Sequence, residues 1–430
     1  MNILLNKGHI LTMEGDSPQV IQGCVGIRDD KIVFAGTAPE DFKADRIIDA
    51  SDSLIMPGLV NAHTHISMSL FRHYADDLDF WDWLFGRILP VEEKLTAEDA
   101  YWGAMLGLCE MIRGGITCFA DMYMFMDRVA SAAETSGIRA RLSRGLTFSG
   151  PEDLAKLDQV REVHKNWHGR GQGRIAIDIA PHAIYTCPPE YLEKCTALSR
   201  ELDTCIHIHL SESRKEVADC YEQYGKSPVA LLRDIGLFSR KTYAAHCVHL
   251  SDEDMDILKE YKVGVMNNPC SNMKLGNGFA PVRRLLEKGV TVALGSDGPA
   301  SNNNLSIFEE MNLAALVNKG VEENSTVVSA YTALKMATID GAKVLGLDHI
   351  TGSIKEGKKA DLIMIDLNVP HFFPRNNLVA GLVYAGQGSD VKTLICNGKI
   401  IMEDRKILTL DEKEIFREAE ACCRRLIPSV

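Results

Sequence analysis

Pro57-Gly58-Leu59-Val60-Asn61-Ala62-His63-Thr64-His65 decides the fold. A Pro-Gly turn leads into a short apolar run that ends in two histidines one residue apart. Side chains two positions apart on a strand share a face, so both imidazoles address one centre. Outward from this run the chain repeats one unit: short apolar segments alternate with longer helical patterns, as parallel βα units buried on both faces require. Eight candidate strands result: Leu59 to His63, Ile116 to Asp121, Arg139 to Gly145, Ile175 to Ala180, Cys205 to Leu210, Thr242 to His246, Val263 to Met266 and Val290 to Leu294. Eight is the number that closes a TIM-like (β/α)8 barrel, here over residues 57–350.

Both ends of the chain have a different texture. Short β-type runs punctuated by turns occupy residues 1–56 (Val25 to Arg28, Lys31 to Ala35, Arg46 to Asp49) and return in 351–430 (Ala360 to Asp366, Val391 to Ile401). The two ends are therefore expected to form the halves of one small β-sandwich, with a helix at the C-terminus. The longest insertion without a strand, residues 66–96, follows the first barrel strand and carries Trp81, Trp83 and Phe85, which suits a substrate lid.

Composition narrows the partners. Of 430 residues, 47 are Lys or Arg and 59 Asp or Glu, a net charge of −12, so no general positive field awaits a nucleic acid. The 46% hydrophobic and 25% charged content is that of a soluble globular chain. Nothing approaches the roughly 18 unbroken apolar residues of a membrane span, and the first residues lack the pattern of a signal peptide. Twelve cysteines without a C-x-x-C pair read as small buried hydrophobes in a reducing, cytoplasmic setting.

Active residues of such a barrel sit at the C-terminal ends of its strands. That rule selects His63 and His65, then His207-Ile208-His209-Leu210-Ser211-Glu212, then His246, then Ser296-Asp297. Imidazoles plus one carboxylate suit zinc or another first-row divalent ion with a position left open. His63, His65, His209 and Asp297 are the expected ligands, with His209 preferred to His207 because it stands at the strand end, three residues before Glu212.

The run from Pro57 to His65, with Gly295-Ser296-Asp297 downstream and Gly352-Ser353-Ile354 before Gly357-Lys358-Lys359-Ala360-Asp361-Leu362, resembles the metal-dependent amidohydrolase superfamily over essentially the whole chain. Two-metal members carry a bridging lysine at the end of the fourth strand. Here that end reads Ala180-Pro181-His182 and the next lysine is Lys194, so the resemblance implies one ion, zinc or iron. His209-x-x-Glu212 resembles the deaminase branch, where the glutamate protonates a ring nitrogen. The same branch implies that Asp297 takes a proton from the attacking water and passes it to the leaving amine, while His246 orients that water.

Phe80-Trp81-Asp82-Trp83-Leu84-Phe85-Gly86-Arg87-Ile88-Leu89-Pro90-Val91-Glu92 is similar to the lid of the 5′-methylthioadenosine/S-adenosylhomocysteine deaminase family. That resemblance implies Trp83 packing on the substrate, Glu92 holding both ribose hydroxyls, Arg144 near the ribose or its tail, and His182 against the purine. A small nucleoside is then the expected partner, in a homo-oligomeric enzyme. The rivals are deamination or hydrolysis of guanine, a pterin or a triazine, and a non-catalytic assembly role for the barrel.

Overall fold

A computed structural model describes residues 1–427. The barrel strands are β1 (Leu59–Thr64), β2 (Ile116–Tyr123), β3 (Arg139–Leu146), β4 (Ile175–Pro181), β5 (Ile206–Leu210), β6 (Thr242–His246), β7 (Gly264–Asn267) and β8 (Val292–Leu294). Each pairs in parallel with the next to make one eight-stranded sheet. These are the eight runs expected, with ends moved by a residue or two. In β5 every residue is buried, because Ile206, Ile208 and Leu210 alternate with the inward-facing His207 and His209.

The barrel floor below the histidines is ionic. Arg141 of β3 meets Asp178 of β4 at 2.5 Å, and the Tyr243 hydroxyl of β6 donates to the same carboxylate at 2.6 Å. Tyr243 also packs on His207, ring centroids 4.8 Å apart, so the ionic layer supports the imidazole layer above it. The helices between strands start on good caps. Thr96 and Asp99 form a capping box for Ala97–Arg113, and Ser251 and Asp254 one for Asp252–Glu260.

A nine-stranded sheet joins the two chain ends around a core of its own, including Ile3, Leu5, Val25, Ile27, Ile55, Leu362 and Met364. Asn2–Leu11 pairs with Val20–Arg28 on one side and Ser53–Pro57 on the other. Ser53–Pro57 then takes Leu362–Asp366 as its antiparallel neighbour, with Ile55 opposite Met364. Asn2–Leu11 was not legible as a strand because its alternation breaks at Asn6-Lys7, where the register shifts and Lys7 adopts φ 63°. The terminal helix Glu412–Leu426 lies on the barrel helix Ala97–Arg113, held by Arg113–Glu412 at 2.6 Å and by Arg425–Asp99.

Sandwich and barrel are locked by a buried ion pair, Arg139 at the start of β3 with Asp361 at 3.0 Å; the Asp361 carboxylate also accepts the Asn397 backbone N–H. Asp361→Ala would strand a buried guanidinium. The expected cost is about 3–5 kcal/mol, checked as a lowered denaturant midpoint.

Candidate metal centre and active site

β1, β5 and the turn after β8 bring His63, His65, His209 and Asp297 to one point, their candidate ligand atoms all within 4.8 Å of one another. β8 reaches β1 because Gly295 has no side chain: a Cβ there would stand 2.5 Å from the Asn268 side-chain oxygen and 2.8 Å from His63 Cβ. Asn61 ties the same seam, donating to the Ser296 hydroxyl at 2.7 Å and accepting the Ser296 N–H at 3.0 Å. Asp297 itself is left-handed, φ 58°, with its N–H on the His63 carbonyl at 3.0 Å. Such strain in a non-glycine residue persists where surrounding bonds over-determine it.

Hydrogen bonds fix which nitrogen of each ring faces the centre. His65 Nδ1 lies 2.5 Å from the Met122 carbonyl and His209 Nδ1 lies 2.8 Å from the His182 carbonyl. A carbonyl only accepts, so both rings carry their proton on Nδ1. For His63 the reasoning runs through two more residues. The Ser143 hydroxyl donates to the Asp121 carbonyl at 2.8 Å and so accepts from His207 Nδ1 at 3.3 Å; His207 Nε2 then accepts from His63 Nδ1 at 2.8 Å. All three Nε2 lone pairs therefore point inward. His207 stands one layer below the centre.

A divalent cation fits this arrangement. With both rings neutral, His65 Nε2 and His209 Nε2 face each other at 3.2 Å with no proton between them, and buried His63 Nε2 has no hydrogen-bond partner. Asp297 Oδ1 lies 3.3 Å from both His63 and His65 Nε2. Three lone pairs and a carboxylate converging in a buried space call for positive charge, and this donor set suits zinc. The same demand is visible in the titration of His65: burial alone would lower it, but Asp297 outweighs burial and pushes the imidazole up to about 9.

Two further groups line the centre on the β5–β6 side. Glu212 is buried beyond β5, its Oε1 accepting from Asn277 at 2.9 Å and its Oε2 3.8 Å from His246 Nε2. Burial and the nearby Asp297 raise the Glu212 carboxyl well above the carboxylate range. His246, at the end of β6, places Nδ1 2.8 Å from the Asn272 side-chain oxygen, leaving Nε2 free to face the centre. Asp297 behaves oppositely to Glu212. Burial raises it, yet the adjacent His63 and His65 imidazoles prevail and hold it well below the carboxylate range. Its Oδ2 also accepts from Ser271 at 2.6 Å and Ser301 at 2.7 Å.

The lid places its residues unequally. Trp83 is buried, with its indole N–H on the Ala300 carbonyl at 3.3 Å, just past Asp297. Trp81 stacks on Phe85 and meets Tyr185 beyond β4 edge-on, centroids 5.7 and 5.5 Å apart. Glu92 ends the lid with a buried oxygen that lacks a partner, as does the Tyr123 hydroxyl, and burial pushes the Glu92 carboxyl up to about 7. His182 packs its ring 4.7 Å from that of His209 and directs Nδ1 to Thr186 at 3.0 Å. Arg144 donates to Gln159 at 2.8 Å and to its neighbour's carbonyl.

Sequence reasoning missed Ser143, Asn272, Asn277, Ser271 and Ser301, which orient the functional groups. Asn272, Asn277 and Ser271 follow β7, a strand end without a histidine or carboxylate to attract notice. Among the described residues no helix is long and apolar enough to cross a membrane.

Residues 54–401 match the model of the amidohydrolase family, and the chain belongs to that family. It is a hydrolase of carbon–nitrogen bonds, as the resemblance of His209-x-x-Glu212 to the deaminase branch implied. A 5-methylthioadenosine/S-adenosylhomocysteine deaminase from Thermoanaerobacter pseudethanolicus is 49% identical over 429 residues, 99% of this chain and 100% of that protein. The crystal structure of an adenosine deaminase from Xanthomonas campestris with bound zinc superposes with a TM-score of 0.94 at 33% identity, covering 99% of this chain and 98% of that one. An atrazine chlorohydrolase from Arthrobacter aurescens gives a TM-score of 0.92 at 23% identity over 98% of this chain and 100% of that one, a likeness of fold alone.

Proposed function

We propose that the chain hydrolytically deaminates adenosine-type nucleosides, with 5′-methylthioadenosine and S-adenosylhomocysteine as substrates and adenosine as a further one, giving the inosine analogues and ammonia. The reading is supported above all by two buried acids on different flanks of the His/Asp centre: Glu212 beside His246, and Glu92 beside Tyr123. One divalent ion, zinc in the first instance, would be held by His63, His65, His209 and Asp297, and such an ion supplies Lewis acidity that lowers the pKa of water from 15.7 toward about 7.

The remaining steps belong to side chains. Burial and Asp297 favour the neutral form of Glu212, and because Asn277 donates to Oε1, the proton of that form sits on Oε2, the oxygen facing His246. Transfer to a purine ring nitrogen makes the adjacent carbon electrophilic. His246, neutral through burial, offers Nε2 to orient the attacking water. Ionised Asp297 takes one proton of that water and returns it to the amine; as ammonia leaves, the hydroxyl's remaining proton restores Glu212 and the carbon is left a carbonyl. Glu92 accepts hydrogen bonds from the ribose hydroxyls, with Trp83, His182 and Arg144 around the nucleoside. The twelve unpaired cysteines accord with a cytoplasmic, reducing location.

Ammonia release from adenosine, 5′-methylthioadenosine, S-adenosylhomocysteine, adenine and guanine tests the assignment, since specificity is a ratio of kcat/KM values. Nucleosides are expected to exceed the free bases, and equal efficiency on adenine would refute the role of Glu92. A pH signature accompanies it. Glu92 titrates near 7, so its neutral form prevails below and its accepting carboxylate above. kcat/KM for nucleosides should therefore fall as pH drops through about 7, and Glu92→Gln should lower kcat/KM and remove that limb.

A further inference from the structure

Glu216 sits on the first turn of the helix Arg214–Tyr224, four residues beyond Glu212. Its carboxylate is buried and fully engaged: one oxygen accepts the Ser211 backbone N–H at 2.9 Å and the other the Glu212 backbone N–H at 2.8 Å. Ser213 caps this helix by accepting the Glu216 N–H at 3.2 Å. In an ordinary capping box the glutamate at this position would return to the N–H of the cap residue itself. Here it reaches further back and grips the two peptides that carry the acid.

Those peptides need gripping. Ser211 is left-handed at φ 51°, and its carbonyl is held from the other side by the N–H groups of Val248 and His249, 3.1 and 2.9 Å, in the loop that follows His246. His246 and Cys247 are left-handed too, at φ 71° and 51°, and the Cys247 N–H closes on the Leu210 carbonyl at 3.0 Å. The loops after β5 and β6 are thus knitted into one strained unit, with Glu216 as the side chain anchoring its β5 half.

We infer that Glu216 is a positioning residue for deamination: by holding the Ser211 and Glu212 peptides it sets the direction in which Glu212 presents its proton, and keeps Glu212 and His246 in mutual register. This rests on the role given to Glu212 above. Displacement of an acid by about 1 Å costs on the order of a hundredfold in rate without weakening substrate binding.

The test compares three variants with the parent in the zinc-loaded enzyme, by kcat and KM for 5′-methylthioadenosine, zinc per chain and melting temperature. Glu216→Gln puts an amide N–H against one of the two donors, and Glu216→Asp is too short to reach both. Each is expected to lower kcat about 10- to 100-fold with KM within about threefold and zinc content unchanged. Ser213→Ala removes the cap of the same helix but leaves both Glu216 bonds in place; it should lower the melting temperature by about 1–3 °C with little change in kcat. Glu216→Gln with kcat within twofold of the parent overturns the inference. So does a loss of kcat in Ser213→Ala equal to that in Glu216→Gln, because helix stability alone would then explain both. A parent that releases ammonia from no nucleoside brings down the reading of the site, and this inference with it; an active parent with an indifferent Glu216→Gln brings down the inference alone.

Discussion

Glu212→Gln is expected to keep its metal and lose at least about a hundredfold in kcat, in line with general acid–base contributions of 10² to 10⁴. The amide is isosteric, and its oxygen still accepts from Asn277, so the side chain stays in place. What disappears is the proton on Oε2. In the parent, burial and the adjacent Asp297 favour the neutral acid, a state Gln imitates in charge but not in proton-donating power. KM should therefore move little while kcat falls, the pattern of an interaction made in the transition state. Ammonia release together with metal content by elemental analysis checks it. A metal-replete variant with turnover close to the parent's would remove Glu212 from the reaction.

Legibility in the sequence followed periodicity. The barrel strands were readable because most are buried on both faces, which leaves short apolar runs between amphipathic helices; β3, with Arg139, Arg141 and Arg144, is the exception. His63, His65, His209 and Asp297 were readable because strand ends are where such a barrel keeps its chemistry. Asn2–Leu11 was hidden by a bulge, since one added residue reverses the alternation that marks a strand.

The orienting groups were hidden for another reason. Ser143 matters because its hydroxyl lies between the Asp121 carbonyl and His207, a relation among β2, β3 and β5 that no local spacing encodes. Asn272 and Asn277, which follow β7, act in the same way on His246 and Glu212 at the ends of β6 and β5. Choosing His209 over His207 could be argued from the strand end, but why His207 is there emerges only from its contact with His63. Arg144 shows the converse. Its position at the end of β3 was legible, whereas its direction, toward Gln159, was not.

Removal of the metal should have the largest effect of all. Chelation leaves three inward lone pairs and the Asp297 carboxylate without a cation, and the nearest remedy, a proton on His65, restores charge but blocks one ligand nitrogen. Ammonia release is expected to fall to background and to return on adding zinc, with iron as the comparison ion. Stability should follow. An ion that binds the folded chain alone stabilises it by RT ln(1 + [L]/Kd), about 4 kcal/mol when the free ion is a thousand times its Kd, so the chelated protein should melt lower and regain its parent value with zinc. Asp297→Asn separates the two roles of this residue. Asn can still accept from Ser271 and Ser301 through its oxygen, but it brings no negative charge to the centre and cannot take a proton from water. It should bind zinc more weakly and remain inactive even at saturating zinc, whereas His209→Ala should lose affinity first. A chelated enzyme free of metal by elemental analysis that still deaminates at the parent rate would show that the histidines serve something other than a cation.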